Sequence, residues 1–576
     1  MFSNSSFNDN LLNSLNNANS HKFWQLWKAN FNKADNNSRF KFQDLKTDFE
    51  IANYLADSQK ASCSPNSSEL NSKLQQNYFS NKATRNGLRH FDHITLSTFA
   101  IDKAISDTQS NTASGADNIC IEHLKLAHPS VILILKNIFN IFLSIGEVPT
   151  DFGVGIVIPI PKFKGSKVNV SADDFRGITL NSILSKIFER CILPFFNVLS
   201  TSSRQFGFKK GLSCMHAINT VKNTIQFFNK KGNSVNLGLI DVRKAFDKVS
   251  VWGILILLQN NDVNSSIIDV MEHWFRVSVA RVKWNDAFSM PIALSAGVRQ
   301  GSILSPLLFS VYINILLIEL EKTKLGCFIN GRCFNSFLYA DDLLLLSISV
   351  VDLQLLVDKC SEVLLSLDLQ VNIKKSMCLR IGKRFKSQCK CISINDQAIE
   401  WVSEAKYLGV TLKSGLNFSC DWHASKRQFF KAVNSILGAL GPNPTIQVAL
   451  SLFRSNCVPI LTYGLAAAPL SKAELQSLTF AYNNIFYKLF KTSNSGTIEQ
   501  CQFFCGFLPL YAEVDYWKFC FLQSSCKGMG LNRTNEFNCS DLADLDRITC
   551  KYNLTIFDSK PCIKYKIWNY FENSLT

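Results

Sequence analysis

The run Phe337-Leu338-Tyr339-Ala340-Asp341-Asp342-Leu343-Leu344-Leu345-Leu346 sets two adjacent carboxylates inside an otherwise apolar stretch. The apolar arms predict the two strands of a β-hairpin, with the aspartates at its tip. Burying a charged carboxylate without a partner costs several kcal/mol, so the pair calls for a compensating cation. Hard Mg²⁺ suits the position, because it selects carboxylate oxygens and keeps coordination sites open for phosphate. A polar turn between two strands is the bland reading of any Asp-Asp pair taken alone. The surrounding chain decides against it.

Asp241 lies 100 residues before Asp341 and closes a short apolar strand, Leu237–Ile240. Three carboxylates at strand ends are the minimum inventory for two divalent ions that activate an attacking 3′-hydroxyl and stabilise a leaving pyrophosphate. Side chains alternate along a strand, so Asp341 and Asp342 do not both aim squarely at one metal pair. Asp241 and Asp341 are therefore expected to bridge the ions. Asp342 is expected to be peripheral, nearer the primer end, with the backbone carbonyl of Val242 as a further oxygen.

The chain has 576 residues, enough for roughly three or four domains or subdomains. Its 47% hydrophobic residues supply ample core material, and 61 Lys+Arg against 45 Asp+Glu leave a net charge of +16. The excess is uneven. Residues 151–250 carry 15 basic and 6 acidic side chains, and residues 374–390 carry Lys374, Lys375, Arg380, Lys383, Arg384, Lys386 and Lys390 with no acid. Clustered positive charge is the footprint of phosphate-backbone binding, whereas a solvated face is the bland reading of either cluster alone. The 19 cysteines are scattered, with no Cys-x-x-Cys, and no histidine follows His423, so reduced thiols in an intracellular protein are expected. No signal peptide is recognisable. Val131–Gly146 is too short to span a bilayer, and Leu304–Leu320 carries Pro306 and Asn314, so no membrane association is expected.

Residues 1–20, with 12 Asn or Ser, read as a disordered tract, and 21–113 as a helical extension or linker. Two helices are expected around a loop at Ser114–Asp117. A strand is expected over Gly155–Pro161, a basic loop over Lys162–Lys167 and a helix over Leu180–Leu193. Further helices are expected over Phe246–Leu258, Ser302–Leu320 and Val350–Leu367, and strands over Val371–Ile373 and Leu408–Leu412. Irregular alternation around a central hairpin predicts an α+β fold rather than a doubly wound parallel sheet. Beyond Leu412 the pattern is helical, with Ser471-x-x-Glu474 as a capping box. Residues 491–576 have no pattern that translates into chemistry.

Four segments in order carry a family resemblance. Asp241-Val242-Arg243-Lys244-Ala245-Phe246-Asp247 resembles the first catalytic motif of reverse transcriptases. Ala296-Gly297-Val298-Arg299-Gln300-Gly301-Ser302-Ile303-Leu304-Ser305-Pro306-Leu307-Leu308-Phe309 resembles the motif that follows it. Tyr339-Ala340-Asp341-Asp342 resembles the catalytic hairpin, and Lys406-Tyr407-Leu408-Gly409-Val410 the primer-grip motif of the non-LTR (LINE-type) group. Each segment alone is modest; four in the right order and spacing, over roughly Ser114–Phe490, are specific.

The resemblance implies a right-hand polymerase fold: fingers over 114–236, a palm over 237–412 with an antiparallel sheet and the catalytic hairpin, and a helical thumb over 413–490. The reverse transcriptase domain would span about 145–413, leaving 491–576 without a role. It also implies residue roles. Phe246 falls where the family has a steric gate against a 2′-hydroxyl, and equally reads as a core residue at a helix start. Gln300 and Gly301 match positions that contact the incoming nucleotide and template. Lys162, with Arg176 of Phe175-Arg176-Gly177-Ile178, resembles the fingers pair that clamps the triphosphate; Gly177 stands where the family has proline, which would loosen that loop. Lys375, a better fit than Lys374, matches a lysine that protonates pyrophosphate or simply contacts phosphate. Tyr407, Leu408 and Gly409 would position the primer.

The activity implied is RNA-directed DNA polymerisation with an RNA template, a DNA primer, dNTPs and Mg²⁺, Mn²⁺ being the alternative ion. A group II intron-type enzyme is the second enzymatic reading, and a catalytically silent nucleic-acid-binding remnant the non-enzymatic one. The residues before Ser114 are too few for an endonuclease of ordinary domain size. That activity is therefore expected from a missing upstream domain or another protein.

Overall fold

The computed structural model describes residues 2–17, 20–31, 40–42, 45–86, 94–163, 168–528 and 539–575. The basic loop expected over 162–167 lies outside these residues beyond Phe163. Four helices come first: α1 (Phe2–Asn16), α2 (Ser20–Phe31), α3 (Asp48–Ser62) and α4 (Ser68–Asn86). Most of the tract expected to be disordered is thus helical. Leu11 is fully buried, and Asn8 donates from Nδ2 to the Leu440 carbonyl at 3.0 Å. Tertiary packing overrides the poor helix propensity of Asn and Ser.

Next come α5 (Thr98–Ser106), α6 (Ile121–Lys125) and α7 (Ser130–Ile145), three helices where two were expected. They precede β1 (Val154–Pro161), β2 (Phe175–Asn181), α8 (Ile183–Ile192) and α9 (Cys214–Lys230). The central region holds β3 (Val235–Ile240), α10 (Ala245–Lys248), α11 (Val251–Asn260), α12 (Ser265–Arg276), β4 (Val279–Trp284), β5 (Ala287–Phe288), β6 (Ile292–Ala293) and α13 (Ser305–Lys322). It continues with β7 (Phe328–Ile329), β8 (Arg332–Cys333), β9 (Ser336–Tyr339), β10 (Asp342–Ser347), α14 (Val350–Ser366), β11 (Met377–Ile381), β12 (Ile392–Ile394) and β13 (Gln397–Trp401).

Two sheets organise these elements. In the first, β1 lies between antiparallel β2 and parallel β4, with β5 and β6 on β4. Residues 279–293, expected within the palm, therefore pair in the sheet of β1 and β2 and not in the sheet of β3, β10 and β11. Ala280, Val282 and Trp284 alternate inward onto Phe40, Phe42, Val157 and Phe175, and that shared core draws β4 across. The second sheet runs β12-β13-β11-β3-β10-β9. Leu343 and Leu345 of β10 face the core that includes α13 and α14, whereas Leu344 and Leu346 face the core that includes α9. Helices on both faces explain why β10 is a continuous leucine run rather than an alternating one. The strand expected over Val371–Ile373 reduces to one bridge, Val242 to Val371, and β11 takes the sheet position instead.

A three-stranded sheet of β14 (Glu404–Tyr407), β15 (Val410–Lys413) and β16 (Ser419–Asp421) leads into α15 (His423–Leu440), α16 (Ile446–Leu452), α17 (Val458–Thr462) and α18 (Lys472–Phe490). The Ser471–Glu474 capping box opens α18 as expected. The chain ends in α19 (Ser495–Phe504), α20 (Leu510–Gly528), α21 (Cys539–Tyr552) and α22 (Lys560–Leu575). The last three helices share their own core around Phe519, Ile548, Ile563 and Phe571. A buried polar latch joins α21 to α9: Asp541 accepts from Lys222 at 2.7 Å, Asn219 at 3.0 Å and Asn223 at 2.8 Å. The first sheet, the antiparallel-rich second sheet and the helices after β16 form the α+β right-hand fold of fingers, palm and thumb. Among the described residues no helix is long and apolar enough to cross a membrane, and the described cysteines are free thiols.

Candidate active site

The hairpin is tight. Tyr339 pairs with Asp342, so Ala340 and Asp341 alone make the turn, with Ala340 at φ +57°. A left-handed alanine costs on the order of 1 kcal/mol, which the surrounding pairing must supply. Leu343 pairs with Ile240, and one further step of that register sets Asp342 across from Asp241. Burial and the Asp241 charge raise the Asp341 carboxyl above its ordinary value, while Arg176 opposes them. Asp342 reaches solvent on its outer face but still stands beside two carboxylates. Burial, then Asp341 and Asp241, push it up to about 6. Each charge destabilises the others, which is the condition a divalent cation relieves.

Among the described residues no three His, Cys, Asp or Glu side chains converge into a closed metal cage. An open cluster fits Mg²⁺, which takes one or two carboxylates and fills its remaining positions with water and substrate phosphate. Asp241 donates its amide to Ser376 Oγ at 3.1 Å and accepts at its carbonyl from Asn372 at 2.8 Å, while the Arg243 amide donates to Gln370 at 2.8 Å. Along extended backbone successive carbonyls alternate, so the Val242 carbonyl turns away from residues 370–372, toward the hairpin side.

Lys244 then takes φ +48° and turns the chain into α10. The Phe246 ring stacks on Phe309, with centroids 4.2 Å apart, and meets Phe208 edge-on at 5.9 Å. It is half-buried, so its packing and its exposed face coexist. The C-terminal end of α3 holds both flanks of this motif. Lys244 Nζ donates to Ser62 Oγ at 2.7 Å, and Lys248 Nζ to the carbonyls of Ala61 at 3.1 Å and Ser64 at 2.7 Å. Cations at a helix C-terminus satisfy its free carbonyls. The segment expected to be a linker thus braces the site.

The loop Gly297–Gly301 crosses above α10. Gly301 sits at φ +125°, where a Cβ would stand 2.4 Å from the Thr179 carbonyl oxygen, so no larger residue fits. The Thr179 amide donates to the Gln300 carbonyl at 2.9 Å, and Gln300 Nε2 to Asp247 Oδ1 at 3.2 Å. The loop therefore bridges β2 and α10.

Arg176 stands in β2 opposite Ile160, and Lys162 follows β1, its Nζ donating to the Asp173 carbonyl at 2.8 Å. Burial lowers the Lys162 ammonium, opposed by Asp173 and reinforced by the charges of Lys375, Lys244 and Arg176. Four cations from four segments thus lie near one another, and one of them, Arg176, also acts on Asp341. Gly177 does not loosen this arrangement: it lies within β2, paired with Pro159, where a Cβ would come 2.7 Å from Val157. Lys374 and Lys375 are both exposed in the turn before β11.

Leu408 is not in a strand as expected. Tyr407 pairs with Val410, and Leu408 (φ +44°) and Gly409 (φ +83°) form a two-residue turn with both φ positive. Tyr407 is buried, and its hydroxyl has no hydrogen-bond partner among the described residues. Burial, then the charges of Asp342 and Cys214, raise its phenol.

With this geometry in place, residues 160–412 match the family model described as "Reverse transcriptase (RNA-dependent DNA polymerase)". Those residues are a reverse transcriptase domain. The chain is 28% identical over 389 residues to "Probable RNA-directed DNA polymerase from transposon BS" of Drosophila melanogaster, covering 63% of this chain and 41% of that protein. It is 26% identical over 373 residues to "RNA-directed DNA polymerase from mobile element jockey" of the same organism, covering 61% and 39%. The chain thus spans about two fifths of the length of these relatives. A telomerase structure from Candida tropicalis aligns at TM-score 0.33 and 16% identity, over 51% of this chain and 60% of that one.

Two features of the reverse transcriptase domain escaped the sequence. Residues 204–208 lie along β9: the Phe206 amide donates to Leu338 at 2.8 Å, the Leu338 amide donates to Arg204 at 3.0 Å, and a Cβ on Gly207 would stand 2.3 Å from the Ala340 nitrogen. Buried Arg204 fixes the segment, donating to Asn335 at 3.0 Å, Ser336 at 3.0 Å and Glu321 at 2.7 Å. The only signal was a glycine between two phenylalanines in Gln205-Phe206-Gly207-Phe208. The second feature is Glu189 of α8. It is buried and accepts from Ser302 Oγ at 2.7 Å and the Ile303 amide at 2.5 Å, anchoring the far end of the Gly297–Gly301 loop. Burial raises its carboxyl. A lone glutamate among apolar helix residues could have flagged it.

Proposed function

We propose that this chain is an RNA-directed DNA polymerase of a non-LTR retrotransposon, extending a DNA 3′-end with dNTPs on an RNA template. The observation that carries the reading is the register that sets Asp241 opposite Asp342 beside Asp341, with Arg176 acting on Asp341 and Lys162, Lys244 and Lys375 near Arg176. Asp241, Asp341, Asp342 and the Val242 carbonyl would hold Mg²⁺, or Mn²⁺, which when bound supplies a lowered barrier for 3′-hydroxyl attack and charge neutralisation at the leaving pyrophosphate. Lys162 and Arg176 grip the triphosphate and offset negative charge developing there. Lys375 contacts the departing phosphate or gives it a proton. Phe246 sits under the sugar as a gate, Gln300 and Gly301 flank the nucleotide and template, and the Tyr407-Leu408-Gly409 turn sets the primer end.

The boundaries that accompany this reading are fingers 114–236, palm 237–412 and thumb 413–490, with residues 279–293 reassigned to the fingers sheet. The work is intracellular, with endonuclease activity supplied by another polypeptide segment. The test is primer extension by purified protein on poly(rA)/oligo(dT) with Mg²⁺ or Mn²⁺ and an Asp341→Ala control. Metal-dependent extension lost in the control supports the reading. RNA binding with no extension under either ion refutes it in favour of a silent binding remnant.

A further inference from the structure

The basic run 374–390 does not act as one patch. β11 divides it: Lys374 and Lys375 stand at the catalytic end of the palm sheet and Lys383, Arg384 and Lys386 at the other, while Lys390 leads into the edge strand β12 beside Trp401. β3 spans the six residues between those ends, a separation of about 20 Å at ~3.3 Å per residue. The proposed active site uses Lys375 of the first pair and leaves the second group unexplained.

That group is a built surface. Arg380 is buried; its Nε donates to Asn236 Oδ1 at 2.7 Å, and its guanidinium lies 5.4 Å from the Trp401 ring centroid. The same guanidinium donates to the carbonyls of Arg384 at 3.3 Å and Ser387 at 3.4 Å, while the Arg384 amide donates to Ser234 Oγ at 2.9 Å. The turn carrying Lys383, Arg384 and Lys386 is thereby fixed from beneath. Lys231, just past α9, extends the patch: a Cβ on the neighbouring Gly232 would stand 3.8 Å from Lys383 Nζ. Lys231, Lys383, Arg384, Lys386 and Lys390 are all exposed, and among the described residues none is in an ion pair. Rings are interleaved with the charges, Lys231 lying 4.2 Å from the Phe227 centroid and Lys386 5.6 Å from that of Phe385.

We infer that this basal face of the palm is a second nucleic-acid surface, taking single-stranded RNA outside the catalytic cleft. Fixed cations beside aromatic rings match the backbone charge and base faces of an unpaired strand. An acidic protein segment would use the charges but not the rings. The choice of RNA rests on the polymerase reading, but the binding itself needs no catalysis.

The test uses the full chain with Lys383→Gln, Arg384→Gln and Lys386→Gln combined, none of which belongs to the proposed catalytic machinery. Fluorescence anisotropy against salt is measured with a primer–template carrying a long unpaired RNA tail and with one carrying an overhang of a few nucleotides. Losing three phosphate contacts lowers the salt slope on the long tail by about 2, so the affinity lost between 50 and 200 mM salt shrinks by roughly 20-fold. Binding of the short hybrid stays unchanged, as does the melting temperature. Equal slopes for variant and parent on the long tail overturn the inference. So does competition by polyglutamate as effective, per unit charge, as competition by single-stranded RNA. Failure of the parent to extend any primer while the slope change persists would overturn the polymerase reading and leave this surface standing.

Discussion

The hydroxyl of Tyr463 donates to the carbonyl of Leu408 at 2.8 Å, tying the segment after α17 to the turn between β14 and β15. The Tyr463 ring also fills the space where a Cβ on Gly409 would stand, 2.7 Å from its Cε1. Tyr463→Phe keeps the ring and removes the bond, worth about 1 kcal/mol. Primer KM should rise about fivefold, the equivalent of that energy, with kcat little changed. Steady-state extension at varied primer–template concentration measures both.

Gly207 admits the hairpin tip to within contact of the 204–208 segment. Gly207→Ala must push Ala340, and with it Asp341, out of place. Displacing a reacting group by an ångström costs about a hundredfold in rate. Extension should fall by that order while circular dichroism stays native. Gly438→Ala, in α15 where a Cβ meets nothing within 4 Å, is the matched control and should leave the rate intact.

Glu189 holds Ser302 and Ile303 from α8. Glu189→Gln replaces a carboxylate that accepts both bonds with an amide that presents one acceptor and one donor group. Unfolding free energy should drop by about 1–3 kcal/mol. The KM for dNTP should rise more than the KM for primer, because the loop carrying Gln300 loses its anchor. Denaturant melts and paired KM measurements separate these effects.

Lys222 and Asp541 form the buried latch between α9 and α21. Burial pushes the Asp541 carboxyl up, but the Lys222 charge and the bonds from Lys222, Asn223 and Asn219 hold it below its ordinary value of 3.8. A carboxyl depressed in the folded state contributes stability above its unfolded pKa and loses it as pH falls through the lower folded one. Below about pH 4 the latch should therefore weaken. Asp541→Ala at pH 7 strands a buried ammonium and should cost about 3–5 kcal/mol, whereas Lys222→Met with Asp541→Leu should recover most of it. Chemical denaturation across pH distinguishes the three proteins.

The sequence was most legible where local chemistry and fold agree. The leucine run around Asp341 and Asp342 declared a hairpin, Ser471 and Glu474 declared a helix start, and the spacing of the motifs implied the palm. It was least legible where distant contacts decide. Asn8 and Leu11 become helical because of partners hundreds of residues away, and β4 joins the sheet of β1 and β2 because its alternation fits a core begun by Phe40 and Phe42. The bracing of Lys244 and Lys248 by α3 uses carbonyl oxygens, which no side-chain pattern reveals. Glu189 and Arg204 were hidden for a related reason: a single buried charge is intelligible only once its partners are known.

β9 ends the order of its sheet, so its outer backbone would otherwise offer unpaired donors and acceptors to any passing strand. The Gln205–Leu338 bridge occupies that position. A slip of one residue there would exchange the faces of Asp341 and Asp342, and an open border would recruit other copies of the chain into aggregates. Capping the border leaves the acidic tip of the hairpin open while closing the sheet edge to other copies of the chain.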